Sequence, residues 1–176
     1  KRSMSTTGLS VKWDGKGYSI QNQMAFQTIS DHQGIDQDFT PKSTYFARQD
    51  MKQKMFSEEF NIKSTTNTRY KWLFGAFGFW QGVDNTVPMD YLAKGYTTLK
   101  QYDIPTYGAA LYHQSTFDDL FVKGLSFTFG LRYDYEKASN DYIYHKITNG
   151  NQELVEQFKS DLSFSQLTPK FTLEYI

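Results

Sequence analysis

Apolar and polar positions alternate along most of this chain with a period of two, the repeat of a strand with one buried and one wet face. The clearest run is Lys123 to Glu136. There Leu125, Phe127, Phe129, Leu131, Tyr133 and Tyr135 alternate with Ser126, Thr128, Gly130, Arg132, Asp134 and Glu136. Leu9, Val11 and Trp13 alternate with Ser10, Lys12 and Asp14. The turn-forming Asp14-Gly15-Lys16-Gly17 follows, and Tyr18, Ile20, Met24 and Phe26 resume the pattern, so the segment predicts a hairpin.

Further strands are predicted at four places. Phe56, Phe60 and Ile62 share a face with Glu58. Tyr70, Trp72, Phe74 and Ala76 share another, although Leu73, Phe77 and Phe79 make the opposite face apolar too. Thr106 to Phe117 is rich in strand formers after Pro105, and Leu167, Phe171, Leu173 and Tyr175 alternate with Thr168, Lys170, Thr172 and Glu174. The sum is an all-β antiparallel meander of about seven strands. Short connections at Asp14–Gly17, Ser64–Asn67 and Asp118–Phe121 alternate with long ones at about 30–53, 81–104 and 140–161. Tight turns on one side and long loops on the other are the pattern of a transmembrane β-barrel. A lipocalin-like soluble barrel or sandwich binding a small ligand has a similar strand count and would turn its apolar face inward.

Composition sharpens this picture. Aromatic residues make up 18% of the 176 positions, yet mean hydropathy is −0.62, a pairing suited to strands with one greasy face. No run approaches the roughly 18 apolar residues of a membrane helix. Nineteen basic and nineteen acidic residues balance and the Lys and Arg are scattered, which argues against nucleic acid as a partner. The absence of cysteine removes disulfides and thiolate sites.

Several stretches resemble TonB-dependent outer-membrane receptors of the iron-siderophore type, in the order that family uses. They are FSEEFNIKS at Phe56–Ser64, RYKWLFGAFGFW at Arg69–Trp80, TYGAALYHQSTFDDLFVKGLSFTFGLRYDYEKAS at Thr106–Ser139, and the closing FSQLTPKFTLEYI with Pro169. GIDQDF at Gly34–Phe39 is similar to a loop element upstream of those strands. The resemblance implies that residues 1–176 are an internal part of a β-barrel in the bacterial outer membrane, an incomplete barrel without its plug domain. It also implies uptake of a scarce nutrient, such as a ferric siderophore, energised through TonB, with the lipid bilayer and the receptor's own plug as partners.

Such a protein binds and releases its cargo and is not an enzyme. No Gly-x-Ser-x-Gly elbow appears, and His32, His113 and His145 fall in no zinc-site spacing. No cofactor is expected. Asp31, Asp36, Asp38 and Asp50 with His32 lack the spacing of a calcium loop and read as a solvated segment, so no metal site is expected. Candidate ligand contacts are Arg48, Lys71, His113 and Arg132, where cations and rings would meet an anionic chelate. Candidate lipid-facing residues are Leu125, Phe127, Phe129, Leu131, Tyr133 and Tyr135. Trp72, Trp80, Tyr133, Tyr135 and Tyr142 are candidates for aromatic girdles.

Overall fold

The structure is a computed structural model that describes residues 1–37, 39–42, 44–66 and 68–175. Asp38 of the acidic segment and Asn67 of the second short turn lie outside the described residues. Seven strands form one sheet in chain order, each antiparallel to the next: β1 (Arg2–Asp14), β2 (Tyr18–Asp36), β3 (Tyr45–Ser64), β4 (Tyr70–Tyr91), β5 (Tyr96–Phe117), β6 (Leu125–Thr148) and β7 (Asn151–Tyr175). A single 3-10 turn, Leu92–Lys94, links β4 to β5. The meander expected from the alternation is therefore present.

The long loops are not. Most of the three segments predicted as long connections continues the strands, so β6 and β7 run for 24 and 25 residues and meet at Asn149–Gly150. Both turn residues have positive φ, 52° and 81°, the geometry of a type I′ turn, for which Asn-Gly is the favoured pair. Two prolines hid the continuity. Pro88 and Pro105 sit inside β4 and β5, and each lies where one neighbouring ladder is interrupted: β3–β4 skips the partners of Arg48 and Gln49, and β5–β6 skips those of Ile104 and Pro105.

Register fixes the lean of the strands. The direct partners Trp13, Ile20, Ile62, Phe74, His113, Leu131 and Pro169 mark a line perpendicular to them. Below that line the three short turns are centred about three and a half, six and nine residues away. Each hairpin thus recedes by roughly three residues, about 10 Å, while two strand spacings also measure about 10 Å. The turns lie in one plane if the strands lean about 45° from its normal, the tilt of membrane-spanning strands.

A single curved layer has no closed core. Ala47, Ala110 and Tyr142 are the buried apolar side chains among the described residues. The sheltered residues, including Ser19, Asp31, Thr98, Ala110 and Tyr142, belong almost all to the face opposite Leu125, Phe127 and Phe129. Side chains crowd on the concave side of a curved sheet, so that face is the inner wall and the Leu125 face is the outer wall.

Candidate functional site

The six residues Leu125 to Tyr135 share the outer wall, as the alternation requires, and their partners continue the stripe across the sheet: Phe171 and Leu173 on β7, Leu111 and Phe117 on β5, Phe74 and Trp80 on β4. Leu111 is 66% exposed and Phe74 50% exposed, a costly arrangement in water. From Leu125 to Tyr135 is ten residues, about 34 Å along the strand and about 24 Å in height after a 45° lean. The apolar band of an outer-membrane barrel is about 25 Å tall. Trp80, Tyr107 and Tyr135 lie at its upper edge, and Tyr70 packs against Phe117 near the turns, 4.9 Å between centroids. Tyr142 is not part of a girdle. It lies on the inner wall, above the band.

At the level of this band the inner wall is largely polar and internally tied, with Leu73, Phe77 and Phe79 of β4 as apolar exceptions. Tyr112 on β5 crosses β4 to donate its hydroxyl to Glu59 Oε1 and Asn61 Oδ1 on β3, at 2.5 and 2.7 Å. It can do so because Gly75 lies beneath it, where a Cβ would come within 2.1 Å of the ring. From β6 the Arg132 guanidinium sits 5.3 Å from the same ring centre and donates through Nε to Asp134, at 2.9 and 3.0 Å. A tyrosine laid over a glycine therefore joins four strands. Beside it a pocket of 420 Å³ is lined by Ser19, Gln21, Glu59, Lys63, Tyr112 and Arg132 among others.

Above the band the polarity of the sheet reverses. The outer wall there carries Ser30, His32, Asp50, Asp84, Asp103 and Asp141, whereas the inner wall carries Met51, Val83, Tyr102, Tyr142, Phe158 and Leu162. Tyr102, Tyr142 and Phe158 stack across three strands with centroids 5.0 and 4.9 Å apart. Tyr45, Tyr91 and Tyr96 repeat the motif at 5.4 and 4.6 Å. Lys146 Nζ lies 4.7 Å from the Tyr96 ring centre and Lys100 Nζ 5.5 Å from that of Tyr144. Burial, then the neighbouring Tyr102 and Glu156, raises the Tyr142 phenol above its ordinary value. At the open end of β1, Arg2 bonds Asp31 at 2.7 Å. That bond, then the Gln33 amide, holds the Asp31 carboxyl below the usual range.

The four candidate ligand contacts are not gathered together. Lys71 and Arg132 lie on the inner wall. Lys71 pairs with Asp118 beside the third short turn, and this bond, then that from Ser126, lowers the Asp118 carboxyl below its ordinary value. Arg48 and His113 lie on the outer wall, so neither side chain reaches the interior. Arg48 pairs with Asp90 at 2.9 Å. His113 stacks on Phe74 at 4.1 Å and is hydrogen-bonded to the Leu73 carbonyl oxygen and Ser115. Parity along β5 would have revealed this, since His113 is two residues from Leu111. Lys100 and Lys146, which do face inward, lie in segments that sequence reasoning assigned to loops. Of the acidic segment, Asp31 serves Arg2 and Asp50 lies 2.5 Å from His32, and no cluster of three metal-binding side chains forms among the described residues.

No family model and no curated protein matches the chain. Solved structures do. The chain superposes on the ferric yersiniabactin uptake receptor FyuA from Yersinia pestis with a TM-score of 0.74 at 16% identity, covering 99% of this chain and 26% of that one. It matches the unliganded ferric citrate transporter FecA at 0.70 and 9% identity, over 99% of this chain and 25% of that one. The RagAB peptide importer in its closed-closed state matches at 0.61 and 6%, over 99% and 26%. The chain thus spans about a quarter of the length of these proteins, and what it shares with them is the fold of a barrel wall.

Proposed function

We propose that these residues form an internal stretch of the barrel wall of a TonB-dependent receptor in the bacterial outer membrane. The protein takes up a scarce nutrient, a ferric siderophore being favoured by the strand motifs between Phe56 and Ser139. The observation that carries this reading is the outer band: about 24 Å of apolar side chains on strands leaning about 45°, above three turns in one plane. A lipocalin-like barrel would hold those side chains on the concave side, and here they stand on the convex one. The fit of nearly the whole chain to three barrel proteins of import adds support.

In this reading the protein works by binding and passage, with no covalent step. Below the mouth, Arg132 and Lys71 stand on the inner wall paired with Asp134 and Asp118, and above the band Lys100 and Lys146 present positive charge to the interior beside tyrosine rings. A plug domain and TonB belong to the complete receptor as partners. Fractionating source cells and blotting with antibody against this chain tests the assignment. An outer-membrane band far above 20.5 kDa is expected, and a soluble band near that mass would end it. Photolabelling at position 127 from the lipid phase supplies an independent check, since Phe127 must react if the band faces lipid.

A further inference from the structure

At the upper edge of the band, on the outer wall, four side chains of β2 and β3 form a square. Ser30 stands directly opposite Lys52, and His32 directly opposite Asp50; side chains so paired have Cβ atoms about 5 Å apart. The contacts within the square form a chain. His32 Nδ1 lies 2.5 Å from Asp50 Oδ1. A carboxylate only accepts, so in the neutral ring Nδ1 carries the proton and Nε2 keeps a lone pair. That lone pair faces the Ser30 hydroxyl, with Oγ 3.4 Å from Nε2. Lys52 forms no ion pair among the described residues, although Asp84 stands opposite it on β4.

A hydroxyl bonded to an imidazole whose other nitrogen is bonded to a carboxylate is the arrangement that activates serine as a nucleophile. The longer contact, from Ser30 to His32, is of the kind that tightens when substrate binds. Position then selects the substrate. Ser30 and Tyr135 each stand about thirteen residues above the centre of their turns, so Ser30 is level with the top of the band. Phe26 and Met24 lie four and six residues below it on the same face, and Phe56 stands opposite Phe26. An ester carbonyl at Ser30 therefore has an apolar surface beneath it for its acyl chain. Ser30 is laddered to both β1 and β3, so the positive group on hand for a developing oxyanion is the Lys52 ammonium.

We infer that Ser30, His32 and Asp50, with Lys52 beside them, form a site that hydrolyses acyl esters of lipids. Ser30 Oγ bonds to the carbonyl carbon while its proton passes to His32 Nε2, and the carbonyl electron pair moves onto oxygen beside Lys52. Asp50 holds the ring in place and stabilises the imidazolium. Collapse breaks the bond to the alcohol oxygen, which leaves with the proton from His32, and Ser30 stays acylated. Water then gives a proton to His32 and its oxygen to the acyl carbon. Ser30 departs, recovers that proton, and the carboxylic acid is released. Ester and water become acid and alcohol, with no change of oxidation state. Uptake needs no covalent step, and this site stands on the opposite face from the passage. Only the choice of a lipid ester rests on the proposal that the band faces lipid.

The test uses the full-length protein, purified in detergent and incubated either with dioleoyl phosphatidylethanolamine in mixed micelles or with the water-soluble ester p-nitrophenyl butyrate. Release of oleic acid is expected, and Ser30→Ala should lower it at least a hundredfold, as should His32→Gln. Asp50→Asn and Lys52→Met should each lower it at least tenfold. An alkyl fluorophosphonate should attach to Ser30, read by peptide mass, and fail to do so in His32→Gln. Oleic acid release no greater than that of Ser30→Ala would overturn the site. Cleavage of the soluble ester alone, dependent on Ser30, would overturn the lipid assignment. Heat-dependent gel mobility of the folded barrel shows that each variant has kept its fold. A protein that fractionates to the outer membrane without Ser30-dependent hydrolysis refutes this site and leaves the receptor reading intact.

Discussion

The lower and upper halves of the same strands solve opposite problems. Along β6, Leu125 to Tyr135 turns its apolar side chains outward, and from Ala138 onward the larger apolar side chains Tyr142 and Tyr144 turn inward. The β6–β7 ladder keeps its register up to Tyr144, and the β5–β6 ladder, interrupted at Ile104 and Pro105, resumes in the same register on either side. Which of two interleaved residue sets is apolar is therefore enough to change the solvent a continuous strand expects. Beyond Tyr135 β6 continues to Thr148, about 44 Å along the strand and about 30 Å in height on this geometry, somewhat more than the band itself uses.

This contrast can be broken in graded ways. The largest expected effect is on the isolated chain of 176 residues, which exposes the outer band and two unpaired edges. In water without detergent it should associate completely, and a monodisperse monomer in sedimentation at micromolar concentration would show that the band needs no lipid. If the outer band faces lipid as proposed, Phe129→Arg, on the outer wall midway up the band, should cost the full-length protein in a bilayer about 2–4 kcal/mol. Gln101→Arg, on the same wall above the band, should cost close to nothing. Unfolding titrations that gave equal penalties would erase the boundary between the halves.

Tyr142→Ala tests the upper inner wall. Removing the ring between Tyr102 and Phe158 should destabilise the projecting hairpins by about 1–3 kcal/mol, read as faster hydrogen exchange above the band than within it. Gly75→Ala should cost about 1 kcal/mol by lifting Tyr112 from Glu59 and Asn61. Combined with Tyr112→Phe it should add little, which a double-mutant cycle would reveal. The smallest effect concerns acid. Because Arg2 depresses the Asp31 carboxyl in the folded chain, the pair stabilises the top of β1 above about pH 4, and that contribution is lost as pH falls through the depressed value. Exchange at β1 amides should rise on acidification, and Asp31→Asn should flatten the dependence.

The lower half was legible because a wall with one apolar and one polar face requires alternation: Leu125 to Tyr135 could be read residue by residue, and so could its partner Leu167 to Tyr175. In the upper half, contact with water tolerates polar residues on both faces, as in Arg48-Gln49-Asp50, and Pro88 and Pro105 look like strand ends until the interrupted ladders that accommodate them are seen. Asn149-Gly150 was the missed local signal. It marks a two-residue turn, and two strands meeting there leave no room for the loop expected at 140–161. The inner network eluded sequence reasoning for another reason: Glu59, Asn61, Gly75, Tyr112 and Arg132 are adjacent only across four strands, and no spacing along the chain encodes that.

The even recession of the three turns, roughly three residues per hairpin, has an architectural consequence. A wall built from such units can gain or lose one hairpin without tipping the plane of its turns, because each unit carries its own share of the slant. Circumference then grows by counting hairpins, while the vertical design of the wall stays as it was. Duplication of a single hairpin is therefore a natural route by which a narrow ancestor widens into a barrel spacious enough for bulky cargo.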